Sequence, residues 1–183
     1  MYLQFLKTAL RQYKTVGAFA PVSRFVAAKV AAAVPEDAAL VIECGSGEGV
    51  VARELVRRLA DDGTLVAVEI LPEFAQLLRG VGDQRVRVIE GDALATLAVW
   101  KTASRKADAI VSNIPFSQWP AAKRLLFVKA AHAVLRAGGV LVIYQNVPVI
   151  ARQMREVFGP LSWRFEWRNI SGPYCILKAR RGE

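Results

Sequence analysis

The sequence predicts an α/β protein: a parallel β-sheet with helices on both faces, closed by an antiparallel hairpin at its C-terminal end. Three observations carry this. Between residues 39 and 145, short apolar runs alternate with segments of helical spacing, as repeated strand–helix crossovers require. The first apolar run passes straight into Gly45-Ser46-Gly47-Glu48-Gly49, a glycine-rich strand-to-helix turn. Near the end, Trp163, Phe165 and Trp167 alternate with Arg164, Glu166 and Arg168 ahead of Ser171-Gly172-Pro173, a period-two strand followed by a turn.

The elements follow in order. On a helical wheel, residues 1–16 divide into two clean arcs. Phe5, Val16, Ala9, Tyr2, Tyr13, Leu6, Leu10 and Leu3 fill one; Lys14, Lys7, Arg11 and uncharged polar residues fill the other. Gly17 to Pro21 interrupts the chain, and Ser23 caps a second helix expected to run to about Val34, just before Pro35. Strands are then expected over Ala39–Cys44, Thr64–Ile70, Arg85–Glu90, Ala107–Ser112 and Gly139–Gln145, with a returning strand over Tyr174–Ala179. Helices are expected over Val50–Ala60, Pro72–Leu78 and Lys123–Arg136.

Composition narrows the function. The chain has 183 residues, 54% hydrophobic and 22% charged, a globular balance that can bury a core without disulfide or metal staples. Two cysteines and one histidine exclude a disulfide scaffold and the usual zinc sites, and argue against a His-based triad; no metal is expected. No apolar run reaches the roughly 18 residues of a membrane span, so a cytoplasmic protein is expected. The net charge of +9 is uneven. Residues 1–35 carry five basic side chains and no acid, residues 36–150 thirteen of each, and residues 151–183 seven basic against three acidic. Basic ends around a neutral middle point to an anionic partner, either nucleic acid or an anionic membrane. The segregated basic first helix, with aromatics on its apolar arc, suits an interfacial position on a membrane.

The glycine loop is not a dinucleotide fingerprint, because Val50 stands where a third glycine would be required. No Gly-Lys-Ser/Thr follows, so it is not a phosphate loop either. What stands here is Glu43-x-Gly45-x-Gly47-x-Gly49. Glu69 ends the second strand, Asp92 follows the third within Gly91-Asp92-Ala93, and Ser112-Asn113-Ile114-Pro115-Phe116 ends the fourth.

In order and spacing these residues resemble the motifs of class I S-adenosylmethionine-dependent methyltransferases, over about residues 36–180. The resemblance implies a Rossmann-like seven-stranded sheet, with residues 36–183 as the methyltransferase domain and residues 1–35 as N-terminal amphipathic and capping helices. It implies S-adenosylmethionine as cofactor. Gly45, Ser46, Gly47 and Gly49 would form the cofactor loop, and Glu43 would face the methionine end. Glu69 would accept the ribose hydroxyls with Ile70 beside it, and Asp92 with Ala93 would meet the adenine. Asn113 would belong to both the cofactor and the catalytic sets.

Two narrower resemblances point to different substrates. Asn113-Ile114-Pro115-Phe116 is similar to the N-x-P-[Y/F] motif of ribosomal RNA adenine N6-dimethyltransferases. There the Asn and the Pro backbone hold the target amine and the aromatic stacks on the base. Gly17-Ala18-Phe19-Ala20-Pro21-Val22-Ser23-Arg24 resembles a segment of bacterial phospholipid N-methyltransferases that act on phosphatidylethanolamine. So do Ser112-Asn113-Ile114-Pro115 with Ser117-Gln118-Trp119-Pro120, and Arg168-Asn169-Ile170-Ser171-Gly172-Pro173-Tyr174. The lipid resemblance covers the whole chain and implies a peripheral enzyme on the inner face of the membrane; the RNA enzyme is the alternative.

Methyl transfer by in-line displacement needs a neutral amine, alignment and a dry site. The expected catalytic set is Asn113, Pro115, Phe116, Tyr144 and Tyr174. Water, Tyr144 or Tyr174 would take the amine's proton. Aromatic faces of Phe116, Trp119, Tyr144 and Tyr174 would favour a methylated ammonium product. Trp119 is also placed to dip into a membrane interface, and Arg24, Lys123, Arg124 and Arg168 to meet lipid phosphates. His132 and Cys44 read as ordinary packing residues.

Overall fold

The computed structural model describes residues 22–183. The expected amphipathic helix over residues 1–16 and the Gly17–Pro21 segment lie outside the described residues. Among the described residues the chain forms six α-helices and one seven-stranded sheet. In chain order these are α1 (Arg24–Ala31), β1 (Ala38–Cys44), α2 (Val50–Val56), β2 (Leu59–Glu69), α3 (Pro72–Arg79), β3 (Val86–Glu90), α4 (Ala93–Lys101) and β4 (Ala107–Ser112). A short 3-10 turn follows at Phe116–Gln118, then α5 (Ala121–Val134), β5 (Leu135–Gln145), α6 (Ala151–Phe158), β6 (Ser162–Glu166) and β7 (Tyr174–Arg180).

The strand order is β3-β2-β1-β4-β5-β7-β6. The first five pair in parallel, and β7 runs antiparallel to both β5 and β6. Alternate strand residues feed two cores. Val41, Leu65, Ala67, Ala109, Val111, Val140 and Val142 face α1, α2 and the Leu78 end of α3. Leu40, Ile42, Val66, Ile110, Leu141 and Ile143 face α4, α5 and α6 through Leu97, Phe127 and Met154. Both faces of a parallel sheet are thus covered, which is why its central strands read as continuous apolar runs. Helix α1 is part of this packing: Val26, Ala27 and Val30 are fully buried. Its Ser23 cap holds the Val26 amide as the sequence predicts.

Two helix-to-strand corners differ from expectation in the same way. Helices α2 and α5 stop before Ala60 and Arg136, and β2 and β5 begin earlier than Thr64 and Gly139. In each case a leucine pairs first with an alanine, Leu59 with Ala38 and Leu135 with Ala107. The register then jumps, so that Thr64 and Val140 resume the ladder. A corner glycine makes this possible: a side chain at Gly63 would fall 2.7 Å from the Ala38 carbonyl oxygen. Asp108 locks the same end of the sheet, accepting from the Ala39 and Leu40 amides at 2.8 Å each while pairing with Arg136.

The sequence pattern passes over α4 and α6. Helix α4 is announced locally by Asp92, whose side chain accepts from the Ala95 amide at 2.9 Å. The closing strand also differs. β6 ends at Glu166, and the buried member of its alternation is Glu166 rather than the aromatic set. As an edge strand, β6 leaves Phe165 half exposed and Trp167 beyond it more so. Lys29 of α1 and Arg168 flank the Glu166 carboxylate at 3.0 and 2.8 Å.

Candidate functional site

The carboxyl ends of β1, β2, β4 and β5 lie at one edge of the sheet, together with the start of the antiparallel β7. The residues expected to act gather at this edge, on the loops after β1, β2 and β4 and on the strand ends themselves.

The loop after β1 is tied down by the Gly45 and Ser46 amides, which both donate to the Val68 carbonyl, at 2.8 and 3.2 Å. Its last two marked glycines serve different ends. Gly49, at φ +79°, sits so close to α3 that a side chain would come within 2.9 Å of Leu78. Gly47, at φ +55°, faces open space with no atom within 4 Å of where a side chain would begin. A ligand can therefore approach the backbone there. The Gly47 amide is turned inward and donates to Glu69 Oε2 at 2.8 Å, while Glu69 Oε1 accepts from the Leu71 amide at 3.0 Å. Each oxygen keeps a further lone pair. Burial raises the Glu69 pKa, and these backbone donors oppose that.

Glu43 is fully buried, and neither carboxylate oxygen has a hydrogen-bond partner. Ser46, the nearest hydroxyl in the loop, donates to the Glu43 main-chain carbonyl at 3.3 Å. Burial pushes the Glu43 pKa up to about 8; the Ser46 side chain opposes this and the Glu69 charge adds to it. An orphaned buried acid calls for a cation. The methionine end of S-adenosylmethionine carries an ammonium and a sulfonium, so the donor set fits that cofactor. Glu48 is a second buried loop acid with an unpartnered oxygen. Ile70 stands out half exposed beside Glu69. Asp92 is exposed, and its neighbour Ala93 is buried.

The expected substrate loop is only partly as the sequence suggests. Its start abuts the glycine loop: the Asn113 amide donates to the Cys44 carbonyl at 3.3 Å, and a side chain at Gly45 would meet Ile114 at 3.3 Å. Asn113 and Pro115 are partly buried. Phe116, expected to offer a ring face to substrate, is instead 0% exposed. The 3-10 turn after Pro115 swings the ring inward, edge-on to Trp119 at 5.3 Å and tilted against Phe127 at 4.9 Å. Trp119 belongs to this core cluster too, and the Lys123 ammonium lies 4.1 Å from its ring centre. The Phe116 ring is closed off from solvent, while Trp119 is only partly buried.

Tyr144 and Tyr174 do come together, buried, with ring centres 6.1 Å apart. Burial raises both hydroxyl pKa values. The charges of Glu43 and Glu69 add to the shift at Tyr144. At Tyr174, hydrogen bonding with Asn113 and Ser171 works the other way. Burial disfavours the tyrosinate at both positions.

Sequence reasoning missed Gln145, the buried end of β5. Its Nε2 donates to the Ile114 carbonyl at 2.6 Å, while Oε1 is buried without a partner. A polar residue ending the apolar run Val140–Tyr144 was the available signal. The expected phosphate-binding cations are partly committed elsewhere. Arg124 donates to the Phe116 carbonyl, and Arg168 forks onto Glu166, while Arg24 is exposed. His132 packs edge-on to Phe158 at 5.0 Å. Among the described residues no group of three or more His, Cys, Asp and Glu could hold a metal, and no helix is long and apolar enough to cross a membrane.

Comparison with known proteins accords with this geometry. The sequence pattern of a family described as "Methyltransferase domain" matches residues 41–139. The chain is 26% identical over 174 residues to the "Ornithine lipid N-methyltransferase" of Singulisphaera acidiphila, covering 92% of this chain and 91% of that protein. It is 36% identical over 124 residues to the "Probable ribosomal RNA small subunit methyltransferase A" of Pyrobaculum aerophilum, covering 67% of this chain but only 48% of that one. Among solved structures, cofactor-bound Rv0187 from MTB superposes with a TM-score of 0.71 at 20% identity, over 98% of this chain and 91% of that one. The N-methyltransferase NodS from Bradyrhizobium japonicum WM9 superposes with a TM-score of 0.69 at 11% identity, over 87% and 94%. At such identities the likeness is one of fold.

Proposed function

The chain belongs to the methyltransferase domain family, and on that premise we propose that it methylates the amine of a membrane lipid head group. Phosphatidylethanolamine and its methylated derivatives are the substrates we assign. The enzyme is a methyltransferase and its cofactor is S-adenosylmethionine. When bound, that cofactor supplies an electrophilic methyl group on a sulfonium. The observation that carries the choice of substrate is the burial of Phe116. An adenine N6 enzyme needs that ring to stack on the base, whereas a lipid amine does not. The match along nearly the whole ornithine lipid enzyme supports the same reading.

In this reading the chain's residues do the following. Glu43 pairs with the methionine ammonium, Glu69 accepts the ribose hydroxyls on its free lone pairs, and Asp92 meets the adenine amine. Gly45, Ser46, Gly47 and Gly49, with Ile70 and Ala93, shape the cleft around them. Asn113 and the Pro115 backbone orient the attacking amine. A cationic site lowers the pKa of an incoming ammonium, and water takes the proton, since Tyr144 and Tyr174 remain neutral phenols. Residues 36–183 form the methyltransferase domain with α1 packed on its core, and the residues ahead of α1 lead to an anionic membrane on the inner, cytoplasmic side.

The second reading, an adenine N6-methyltransferase, draws on Asn113-Ile114-Pro115-Phe116 and on the ribosomal RNA relative. One experiment separates them: methyl-labelled S-adenosylmethionine is offered with phosphatidylethanolamine vesicles containing anionic lipid, and separately with unmodified ribosomal RNA. We expect label in the organic phase. Label on RNA alone would overturn the assignment.

A further inference from the structure

We propose that the loop between β6 and β7 is a membrane-docking surface that seats the open edge of the sheet on an anionic bilayer. The proposal rests on the lipid reading above but on different residues. Trp167 is 72% exposed, Ile170 80% and Phe165 50%, and the Phe165 and Trp167 rings stack with centres 6.2 Å apart. Single exposed apolar side chains are ordinary. Here a stacked aromatic pair and an isoleucine share one short segment.

That segment is held in shape with its apolar side chains outward. Asn169 Nδ2 donates to Ser171 Oγ at 2.8 Å, and Asn146 Nδ2 donates to the Pro173 carbonyl at 2.9 Å. The loop is thus braced from within and by Asn146, just past β5. Val147, also largely exposed, follows Asn146 on the same edge. Tyr174 begins β7 opposite Glu166, so the loop rises from the strand that brings Tyr174 to Tyr144.

The charge around it suits an anionic surface. Lys29 and Arg168 both bind the one acid of β6, the buried Glu166, while Arg24 and Arg164 stand exposed on α1 and β6. The Arg24 and Arg168 guanidiniums lie over the Phe25 ring at 4.9 and 4.2 Å. Tryptophan with flanking arginines is the pairing that settles at a lipid interface, rings at the head-group level and cations toward phosphate. Seated this way, the loop would bring the mouth at Asn113 and Tyr174 to the depth of a head-group amine.

The test uses the full chain with W167S/I170S, and separately Trp167→Phe. Vesicles of phosphatidylethanolamine with anionic lipid are the probe, and methyl transfer is also measured on detergent-dispersed phosphatidylethanolamine. The expected result is vesicle affinity lowered by at least about tenfold in the double variant. Transfer to dispersed lipid should be retained, and quenching of protein fluorescence by bromine-labelled acyl chains should fall in Trp167→Phe. Unchanged vesicle binding would overturn the docking surface even with label in lipid. So would a change in oligomeric state without a change in vesicle binding, which would make the patch a contact between copies. If no lipid is methylated while vesicle binding still falls, the docking surface stands and the substrate reading fails.

Discussion

The main-chain amide of Ser23 donates to Asn169 Oδ1 at 2.7 Å, and the Ser23 hydroxyl donates to the Arg168 carbonyl. These residues are 146 positions apart, and they belong to the two terminal segments that resemble the phospholipid enzymes. The structure makes them one unit: the start of α1 is fastened to the loop between β6 and β7. Asn169→Ala should leave the partly buried Ser23 amide without its partner and cost about 1–2 kcal/mol of stability. Ser23→Ala should cost about 1 kcal/mol through the lost helix cap. Denaturant midpoints check both, and unchanged midpoints would mean that the fastening contributes nothing.

Glu69 carries a second prediction. Glu69→Ala should weaken cofactor binding by roughly ten- to a hundredfold, as expected for lost hydrogen bonds to a charged group. It should also free the Gly47 amide that the carboxylate now holds. Calorimetric titration gives the affinity, and a thermal melt confirms that the variant is folded. Full affinity in a folded variant would mean that the ribose lies elsewhere.

Glu43 gives a pH dependence with a definite sign. Its pKa is 4.5 when unperturbed and about 8 in the fold. Between these values the unfolded chain has released the proton and the folded one retains it. Its contribution to stability is therefore full below about 4.5 and is lost as pH rises through about 8. Glu43→Gln should gain stability relative to the parent across that window, by chemical denaturation at a series of pH values. Cofactor binding near pH 7 should also release a proton in the parent and none in the variant, readable by titration in buffers of different ionisation enthalpy.

Phe116 tests the substrate assignment from the core side. Phe116→Ala should cost about 3–5 kcal/mol of stability. Phe116→Leu, still apolar, should keep most of its transfer rate on lipid. A folded Phe116→Leu enzyme with normal cofactor affinity and no activity would mean that the ring meets substrate after all.

Much of the sheet was legible because its signals are local and repeated. Strands β1 and β4 are mostly apolar and covered on both faces, so their limits fall within a residue of expectation. The corners at Leu59–Gly63 and Leu135–Gly139 were not legible, because there a leucine pairs across the sheet with a distant alanine. Order and spacing marked Glu43, Gly47 and Glu69, and the structure brings them to one edge. The orientation of Phe116 could not be read, since an aromatic after Asn-x-Pro looks the same whether it turns to substrate or to core. The exposure of Trp167 was hidden for a similar reason. Period two locates a strand, but it does not say that the strand is an edge with its aromatic side uncovered.

Transfer to a lipid nitrogen is read most directly from the position of the methyl group in the product. Phosphatidylethanolamine vesicles containing anionic lipid would be incubated with enzyme and methyl-deuterated S-adenosylmethionine, and the lipids fragmented in a mass spectrometer. The deuterated methyl is expected on the head-group nitrogen. A methyl group found only on oxygen, or only on RNA adenine in a parallel reaction, would contradict it.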